Sequence, residues 1–556
     1  MARPNILFVN LPSIPYHNIE QFFSDESKVP QSRAMPLGIL YLSSYLKKYG
    51  NPGHIGLLDY VFHINSIKEN KNIDDFVRGC AEQYTNFVPD ILAFSVIFSS
   101  SHLFFEHTLK RLKEKWPDTT CVIGGTHATN CTQYLLENKN IDYVVRGEGE
   151  NAFCSFVDQH TNADSIVVKG IYDKYNIQKD SMLELAEHVS ELDQIPFPDW
   201  SILNMEYYIN AKVNRKRDLG DAGKKKSASI MTTRGCPFMC TFCSSHTVHG
   251  RKMRFRSVEN VVSEVSLLNE RYGVNLFIPE DDLFTVKKKR VVTILNGLKN
   301  LSIPGFEIQF PNALSINTLD EELLDILIDT GMGYAQLAIE SGSKYTQKNI
   351  IKKNCDIDKA KHLVKYLRKQ GIVVRCFFIL GFPGEDKILM EETIKYAKEL
   401  EADWCSFQIA NPLIGSEMYN QFVGRGEISE EPEFWTKTIY ENRAFDTKEF
   451  SAKELLGIAY YANLDVNFVN NYNLIHGNYK RAIELFEDIL KFYPFHIFAL
   501  YFISQCHHEM EEYGQAEKTM DRIRELIKKD KNARDLFDKY GYLLPELKAF
   551  EKVKEC

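Results

Sequence analysis

Two blocks of alternating apolar and amphipathic segments constrain the fold of this 556-residue chain most strongly. In the first block, short apolar runs predict strands at residues 5–10, 55–60, 91–96, 121–125 and 143–145. Segments whose apolar residues have helical spacing lie between these runs. Repeated β–α alternation predicts a parallel sheet with helices on both faces. We therefore predict an α/β protein that begins, over residues 1–160, with a doubly wound, Rossmann-like domain.

The second block resumes the alternation after a less regular stretch. We assign residues 161–226, which contain Pro196, Pro198 and a basic segment, to a linker that packs on both neighbours. Six β–α units then occupy residues 227–415, with strands predicted at 229–232, 275–280, 307–310, 334–339, 373–380 and 406–410. Six units are too few for a closed eight-stranded barrel. We predict a partial (β/α)6 barrel of the TIM type, whose open side other segments cover.

The C-terminal region, residues 416–556, is predicted to be helical. It contains a weak repeat, since Tyr479 and Ala482 recur 34 residues later as Tyr513 and Ala516. That period is the tetratricopeptide one, which predicts TPR-like helix pairs at about residues 472–528. A plain helical bundle explains the same residues equally well, and the sequence leaves both interpretations open.

Charge and hydropathy exclude several classes of protein. A net charge of -8 gives no indication of a nucleic-acid binder, and a composition of 44% hydrophobic and 26% charged residues is typical of globular proteins. No apolar run reaches the roughly 18 residues of a membrane span. The N-terminus lacks the features of a signal peptide. We therefore predict a cytoplasmic protein without a membrane or nucleic-acid partner.

Three of the twelve cysteines form the strongest chemical motif. Cys236, Cys240 and Cys243 have the spacing C-x3-C-x2-C directly after a predicted strand. Three thiolates can hold a 4Fe–4S cluster and leave one iron open to an external chelator. A zinc ion, the alternative, normally takes four protein ligands, for which His246 and His249 are close in sequence. The nine other cysteines are scattered, and we predict that they are packed thiols.

With Phe242 before its last cysteine, this loop resembles the signature loop of radical S-adenosylmethionine enzymes. Segments 278–282 (IPEDD), 339–343 (IESGS) and 380–385 (LGFPGE) resemble further elements of that family, each at the end of a predicted strand. The resemblance implies that S-adenosylmethionine binds the open iron and is cleaved to a 5′-deoxyadenosyl radical. It implies contacts with that molecule from Phe242, Glu280, Asp281, Asp282, Glu340, Ser341, Gly381 and Pro383.

Two loops of the first block resemble the cobalamin-binding subgroup of the same family. They are GGTHAT at 124–129 and RGEGE at 146–150. The resemblance implies a corrin at the carboxyl ends of the strands, contacted by Gly124, Gly125, Thr126, His127, Arg146, Gly147, Glu148, Gly149 and Glu150. The alternative is a domain that keeps this scaffold without the cofactor.

The motif D-x-H-x-x-G, which supplies a cobalt ligand in other cobalamin proteins, is absent from this chain. Asp59 and His63 are four residues apart, and no glycine follows in register. We therefore expect cobalt without an imidazole below it. His127 is expected to be a hydrogen-bond partner rather than a cobalt ligand.

The resemblance implies a methyltransferase that acts on an unactivated carbon, or on phosphorus, through a 5′-deoxyadenosyl radical and methylcobalamin. A cyclase or oxidase with the same cofactors and no net methylation is the first alternative. A methylthiotransferase is disfavoured, because Cys80, Cys121 and Cys131 lack the spacing of a second cluster. From another class, a cobalamin-binding sensor without catalysis would not need Cys236, Cys240 or Cys243.

Candidate catalytic residues and partners are less well defined. Polar and aromatic side chains predicted near strand ends are Tyr334, Gln336, Trp404, Gln408 and Tyr419, although packing of the barrel mouth is the more common role for each of them. The resemblance implies a small-molecule or peptide substrate and an electron donor such as flavodoxin or ferredoxin. The C-terminal helices would bind a protein or carrier partner, or would cap the barrel.

Overall fold

The computed structural model describes residues 3–23, 34–84, 87–160, 167–177, 183–210, 225–431, 434–435, 443–545 and 547. In these ranges, none of the helices combines the length and the apolar character that crossing a membrane requires. Cys556, one of the cysteines predicted to be packed, lies outside them.

A twisted six-stranded sheet forms the N-terminal domain. Its strands are β1 (Ile6–Asn10), β2 (Ile55–Asp59), β3 (Ile91–Ser95), β4 (Thr120–Gly124), β5 (Tyr143–Val145) and β6 (Ile171–Tyr172), in the order β2-β1-β3-β4-β5-β6. The first five strands are parallel, and β6 pairs antiparallel with β5. The predicted doubly wound α/β domain is thus confirmed, whereas β6 arises from the segment predicted to be a linker.

Helices cover both faces of this sheet, which explains why its strands are apolar throughout. Ile6 and Phe8 of β1 are buried in one core cluster, and Leu7 and Val9 are buried in the other. The helices are α1 (Tyr16–Phe22), α2 (Leu37–Tyr49), α3 (Tyr60–His63), α4 (Ile73–Glu82), α5 (His102–Lys115), α6 (Thr126–Asn130), α7 (Thr132–Leu135) and α8 (Glu150–His160).

The linker packs on both neighbouring domains, as predicted. Its helix α9 (Met205–Ile209) places Tyr208 against the sheet, where the hydroxyl donates to Asp59 over 2.8 Å. Further along, Asp193 accepts a hydrogen bond of 2.9 Å from the backbone N–H of Ser257 in the barrel domain.

Seven strands form the partial barrel, one more than the six predicted. One sheet contains β7 (Ser227–Ile230), β10 (Leu276–Pro279) and β11 (Glu307–Ile308), and a second contains β12 (Leu314–Ser315), β13 (Tyr334–Glu340), β14 (Val373–Leu380) and β15 (Trp404–Ile409). All of these strands pair in parallel. A short antiparallel ribbon, β8 (Thr233–Arg234) with β9 (Arg254–Phe255), follows β7.

Amphipathic helices surround the barrel strands. They are α10 (His246–His249), α11 (Val258–Tyr272), α12 (Lys288–Asn300), α13 (Glu321–Asp329), α14 (Ile357–Lys369), α15 (Lys387–Glu399) and α16 (Glu417–Gly424). A single π-helical turn, Thr346–Ile350, follows β13. The first and last strands begin two residues earlier than predicted, and the same loops still follow their carboxyl ends.

The C-terminal helices cover the open side of the barrel. They are α17 (Ala452–Leu464), a π-helical turn (Asp465–Val469), α18 (Tyr472–Ile475), α19 (Tyr479–Phe492), α20 (Ile497–Glu509), α21 (Tyr513–Lys529) and α22 (Lys531–Tyr540). The side-chain amide of Asn467 accepts from the N–H of Cys405 and donates to its carbonyl, over 2.7 Å each. These two hydrogen bonds satisfy backbone groups of the edge strand β15. The helices α19 and α21 begin 34 residues apart, at the repeated tyrosines, while the TPR assignment stays a prediction.

Candidate active site

The three predicted cluster cysteines lie on one loop, residues 235–253, that joins β8 to β9 at the carboxyl edge of the barrel. Cys236, Cys240 and Cys243 are half-buried free thiols. Thr241 holds the middle of this loop, since its N–H and hydroxyl donate to the carbonyls of Ile351 and Ile350 over 3.0 Å each. The loop is therefore fixed at its centre by the barrel.

The chemistry of this donor set fits an iron–sulfur cluster better than a single ion. No three His, Cys, Asp or Glu side chains of the described residues converge as a single bound ion would require. A cubane instead takes its thiolates at separate iron corners. Burial raises the pKa of Cys236 and Cys243, and raises the pKa of Cys240 to about 11, so cluster assembly must displace thiol protons.

Lys353 is a site residue that the sequence analysis missed. Its buried ammonium lies near all three cysteines, where its charge opposes the rise of their pKa values. It also forms an ion pair of 2.8 Å with Glu340. Nothing in the sequence distinguishes this lysine from its neighbours, because only the fold brings the segment after β13 beneath the cysteine loop.

The acidic segment after β10 divides into two exposed or half-buried carboxylates and one buried carboxylate. Glu280 is half-buried and accepts from Ser229 over 2.8 Å, and Asp282 is exposed and accepts from Ser245 over 2.5 Å. Asp281 instead accepts bonds from the backbone N–H groups of Thr232 and Thr233 and from the Thr232 hydroxyl. The carboxylate of Asp281 therefore holds the strand end that leads into the cysteine loop, and its contact with S-adenosylmethionine remains a prediction.

The IESGS segment also separates into different environments. Glu340 has a backbone φ of 70°, a left-handed conformation that costs a non-glycine residue energy and is common at functional sites. Ser341 is completely buried and bonds Thr393 of α15 over 2.9 Å. The contacts of Glu340 and Ser341 with the cofactor remain predictions.

The GFPGE segment turns sharply after β14. Gly381 has a φ of 85°, and its N–H donates over 2.7 Å to the buried carboxylate of Glu385. A Cβ at Gly381 would lie 2.5 Å from Leu455 of α17, so the close approach of that helix requires glycine. Phe242 of the cysteine loop contacts Phe382 with ring centroids 6.0 Å apart, and Pro383 is buried beside them. Contacts of Phe242, Gly381 and Pro383 with the cofactor remain predictions.

The carboxyl edge of the sheet domain has the features of a cofactor site. The strand order reverses between β1 and β3, the switch point at which doubly wound sheets bind ligands. The loop after β3 and the start of α5 expose large apolar side chains there, with Ile97 54%, Phe98 39% and Leu103 40% exposed. An apolar corrin face would cover such a surface. These side chains were not among the predicted cobalamin contacts.

The loop after β4 is built around glycine. Gly125 has a φ of 101°, and a Cβ there would lie 2.5 Å from the carbonyl oxygen of Val96. Gly124 ends β4, and Thr126 begins α6. Asn130, at the end of α6, donates over 3.1 Å to Thr247 of the cysteine loop. The predicted corrin edge therefore faces the predicted cluster loop directly.

His127 is buried and hydrogen-bonded through both ring nitrogens. Nδ1 lies 2.9 Å from the Ser99 hydroxyl, and Nε2 lies 3.1 Å from Nδ1 of His102. Burial and the neighbouring His102 lower the pKa of His127 to about 3. This geometry agrees with the expectation that His127 is a hydrogen-bond partner.

The RGEGE loop after β5 contacts the cysteine loop rather than presenting all its side chains at the open edge. Arg146 donates from Nε over 3.0 Å to the carbonyl of Thr129, and Gly147 donates over 3.0 Å to that residue's hydroxyl. Gly149 packs on Leu42. Glu148 and Glu150 form buried ion pairs with arginines that flank the cysteine loop, which is a contact between domains, and their contact with the corrin remains a prediction.

The five weak catalytic candidates occupy different places. Tyr334 and Trp404 are the first residues of β13 and β15, at the opposite end from the cysteine loop, and Tyr419 is buried on α16 beneath Trp435. A catalytic role for these three residues remains a prediction. Gln336 lies in the middle of β13, and Gln408 is half-buried next to the last residue of β15. Gln408 is the candidate that the structure places at the mouth.

The scattered cysteines are packed thiols, as predicted. In the described part of the chain these are Cys80, Cys121, Cys131, Cys154, Cys355, Cys376, Cys405 and Cys506, all free and buried. Burial raises the pKa of Cys80 and Cys131 to about 12 each. Buried cysteines of this kind behave as small hydrophobic residues.

Comparisons with known proteins agree with this geometry. A model described as the radical SAM superfamily matches residues 230–397, and one described as the B12 binding domain matches residues 28–157. The chain is 30% identical over 471 residues to the cytidylyl-2-hydroxyethylphosphonate methyltransferase of Streptomyces wedmorensis, covering 78% of this chain and 86% of that protein.

A second relative has a different reaction in its name. The anaerobic magnesium-protoporphyrin IX monomethyl ester cyclase of Rubrivivax gelatinosus is 29% identical over 401 residues, covering 71% of this chain and 67% of that protein. Among solved structures, the cobalamin-dependent S-adenosylmethionine radical enzyme OxsB superimposes with a TM-score of 0.61 at 16% identity, over 98% of this chain and 84% of that chain. The structural likeness supports the fold.

Proposed function

Because this chain belongs to the radical S-adenosylmethionine enzymes that carry a B12-binding domain, we propose that it is a cobalamin-dependent methyltransferase. Its substrate would be a small molecule with an unactivated carbon, or less often a phosphorus, to be methylated. The observation that carries this proposal is the direct contact between the corrin edge of the sheet and the cysteine loop, through Asn130 and Thr247 and through Glu148.

The two cofactors supply the difficult chemistry when bound: the cluster with S-adenosylmethionine supplies a 5′-deoxyadenosyl radical, and cobalamin supplies the methyl group. Cys236, Cys240 and Cys243 would hold the cluster, and the ammonium of Lys353 would offset its negative charge. Glu280, Asp282 and Glu340 supply carboxylates around that loop, suited to a cationic partner such as the amino group of S-adenosylmethionine.

With both cofactors bound, apolar side chains of the chain would exclude water from the region between them. Phe242 and Phe382 pack together at one side of the cysteine loop, and the apolar side chains of Ile97, Phe98 and Leu103 lie at the sheet edge. A dry cavity protects a reactive radical from side reactions. Gln408, at the barrel mouth, is placed to hydrogen-bond a substrate there.

A cyclase or oxidase without net methylation is the second candidate. It is favoured by the likeness to the Rubrivivax gelatinosus cyclase, 29% identical over 401 residues that cover 67% of that protein. Cofactor contacts alone do not separate the two reactions, because both need the same radical and the same corrin.

The finer predictions about partners belong to the same proposal. A flavodoxin or ferredoxin in the cytoplasm would supply the electron to the cluster, and the C-terminal helices would bind a peptide or carrier partner. The contact of Leu455 with Gly381 favours instead a role for α17 in closing the barrel.

Anaerobic reconstitution tests the proposal. The full chain is loaded with iron, sulfide and hydroxocobalamin, reduced with dithionite, and supplied with S-adenosylmethionine. Bound cluster and corrin with release of both 5′-deoxyadenosine and S-adenosylhomocysteine support a methyltransferase. Release of 5′-deoxyadenosine alone favours the cyclase or oxidase. Cluster binding that persists in Cys236→Ala contradicts the cluster assignment, for which Cys80→Ala, a buried thiol elsewhere, is the matched control.

A further inference from the structure

The base of the cysteine loop carries two opposed positive charges. Arg234 and Arg254 are cross-strand partners in the ribbon β8–β9, at the two ends of the loop. Both side chains are buried, so water does not screen them. Like charges directly opposite each other on two strands destabilise the pairing. The ribbon that closes the cysteine loop therefore needs a counter-charge from elsewhere in the molecule.

Glu148 supplies that counter-charge from the other domain. Its Oε2 accepts from Nη1 of Arg234 over 3.0 Å and from Nη1 of Arg254 over 2.8 Å. Its Oε1 accepts from Nη2 of Arg254 and lies 2.7 Å from Nδ1 of His249. One carboxylate thus joins both limbs of the loop.

A second carboxylate completes the charge balance but contacts one limb. Glu150 accepts from Nη2 of Arg234 over 2.7 Å. Two carboxylates therefore face two guanidinium groups in a buried cluster. Although burial alone would raise the pKa of Glu148, Arg234, His249 and Arg254 hold it well below its usual range, so it is charged at neutral pH.

The spacing of these two limbs determines the position of one cysteine in particular. The N–H of Cys236 donates to the carbonyl of Gly250 over 3.4 Å. Gly235 has a φ of 89°, and a Cβ there would lie 2.6 Å from the carbonyl oxygen of Lys252. The limbs are thus in contact next to Cys236, and a separation of Arg234 from Arg254 would move that residue. Cys240 and Cys243 are held instead by the separate hydrogen bonds of Thr241, which lies between them in the sequence.

We infer that Glu148 is a positioning residue for Cys236, so that a side chain of the B12-binding domain completes the cluster site in the barrel domain. The inference rests on the proposed function, because it concerns the cluster that function requires. Removal of the carboxylate leaves two buried guanidinium groups that repel each other. The limbs then separate, and Cys236 moves away from Cys240 and Cys243.

The test measures the cluster in the full chain without cobalamin. Wild type, Glu148→Gln and Asp193→Asn are reconstituted anaerobically, and the rate of iron release to a chelator and the electron paramagnetic resonance spectrum are recorded. Since mutation of partners behind metal ligands costs about 10-fold or more in affinity, we expect roughly 10-fold faster release in Glu148→Gln, with an altered spectrum. Asp193 accepts a bond between linker and barrel without touching the loop, so its variant should match wild type.

A charge-balanced double variant separates positioning from general stability. The double variant combines Glu148→Gln with Arg254→Gln. It removes one of the two opposed guanidinium charges, and Arg234 keeps its ion pair with Glu150. Iron release should return toward the wild-type rate, whereas a role in stability alone predicts a further loss. If Glu148→Gln does not fold, Glu148→Asp, one methylene short of Arg234 and Arg254, should release iron at an intermediate rate.

The outcomes distinguish this inference from the proposed function. A wild type that binds no cluster contradicts the proposed function. A wild type that binds a cluster, together with Glu148→Gln or Glu148→Asp releasing iron at the wild-type rate, overturns the positioning role and leaves the function intact.

Discussion

At the residue scale, carboxylates near strand ends have the most varied roles in this protein. Asp281, between Glu280 and Asp282, turns inward and accepts bonds from the backbone of Thr232 and Thr233, whereas its neighbours remain accessible. A buried carboxylate is tolerated because the strand end would otherwise leave N–H groups unpaired. The chemical type of a residue therefore predicts that it lies near the site, but it does not predict which group the residue contacts.

Substitution of Asp281 tests this structural role. Asp281→Ala leaves two buried backbone N–H groups unpaired, and we expect a loss of about 3 kcal/mol in the free energy of unfolding. Asp281→Asn keeps an acceptor in the same place and should lose less than about 1 kcal/mol. Denaturant unfolding checks both values. Loss of S-adenosylmethionine binding in a stable Asp281→Asn protein would instead support the predicted contact between Asp281 and that cofactor.

Glu385 predicts a pH dependence of stability. Burial raises its pKa from 4.5 to about 7, so the folded state holds this proton to a higher pH than the unfolded state does. Stability should therefore fall by about 3 kcal/mol as the pH rises from 4.5 to about 7, the range between the two pKa values. Glu385→Gln can still accept from Gly381 and Phe382, and it should remove this part of the pH dependence. An unchanged profile in the variant would contradict the assignment.

At the scale of elements, the barrel depends on a helix turn to protect its last strand. A partial barrel leaves an edge strand with unpaired backbone groups, which natural proteins cover. Here the side-chain amide of Asn467, from a π-helical turn, pairs with both backbone groups of Cys405 in β15. Trp404 of the same strand contacts Phe468 beside it. The C-terminal helices thus act as the covering segment that the strand count required.

Replacement of Asn467 tests that dependence. Asn467→Ala removes two buried hydrogen bonds from the edge of β15, and we expect the unfolding free energy to fall by about 2 kcal/mol. Asn470→Ala, in the adjoining half-buried position, loses bonds to Asp465 only and is the matched control, with an expected loss of about 1 kcal/mol or less. Chemical denaturation followed by circular dichroism measures the difference, and equal losses would refute the edge-protection role.

At the scale of the whole molecule, the sheet domain and the barrel share two hydrophobic core clusters, and polar contacts join them again at the predicted active site. Glu148 and Glu150 form buried ion pairs with the arginines that flank the cysteine loop, and Asn130 bonds Thr247 in a part-buried contact. Breaking a buried ion pair by separating the domains is strongly unfavourable. Both the shared cores and the ion pairs therefore oppose separation of the domains at the site.

This arrangement predicts that a corrin ligand stabilises the whole molecule. Hydroxocobalamin at about 100 times its dissociation constant should add about 2.7 kcal/mol to the stability of the folded chain. Because the buried ion pairs couple the domains, loss of the cluster absorbance and loss of helical signal should shift together on heating. Two separate transitions, with one of them insensitive to hydroxocobalamin, would contradict the coupling.

The sequence by itself determined the fold class and the order of the domains, and it predicts the three cluster cysteines. These features are local: apolar runs and helical spacing report strands and helices, and Cys236, Cys240 and Cys243 are close in the chain. Only the tertiary structure decided that Lys353 approaches the cysteines, that Tyr334 and Trp404 begin their strands, and that Glu148 pairs with Arg234 and Arg254. Each of these depends on contacts between segments distant in sequence, where burial and charge balance select partners that no local pattern records.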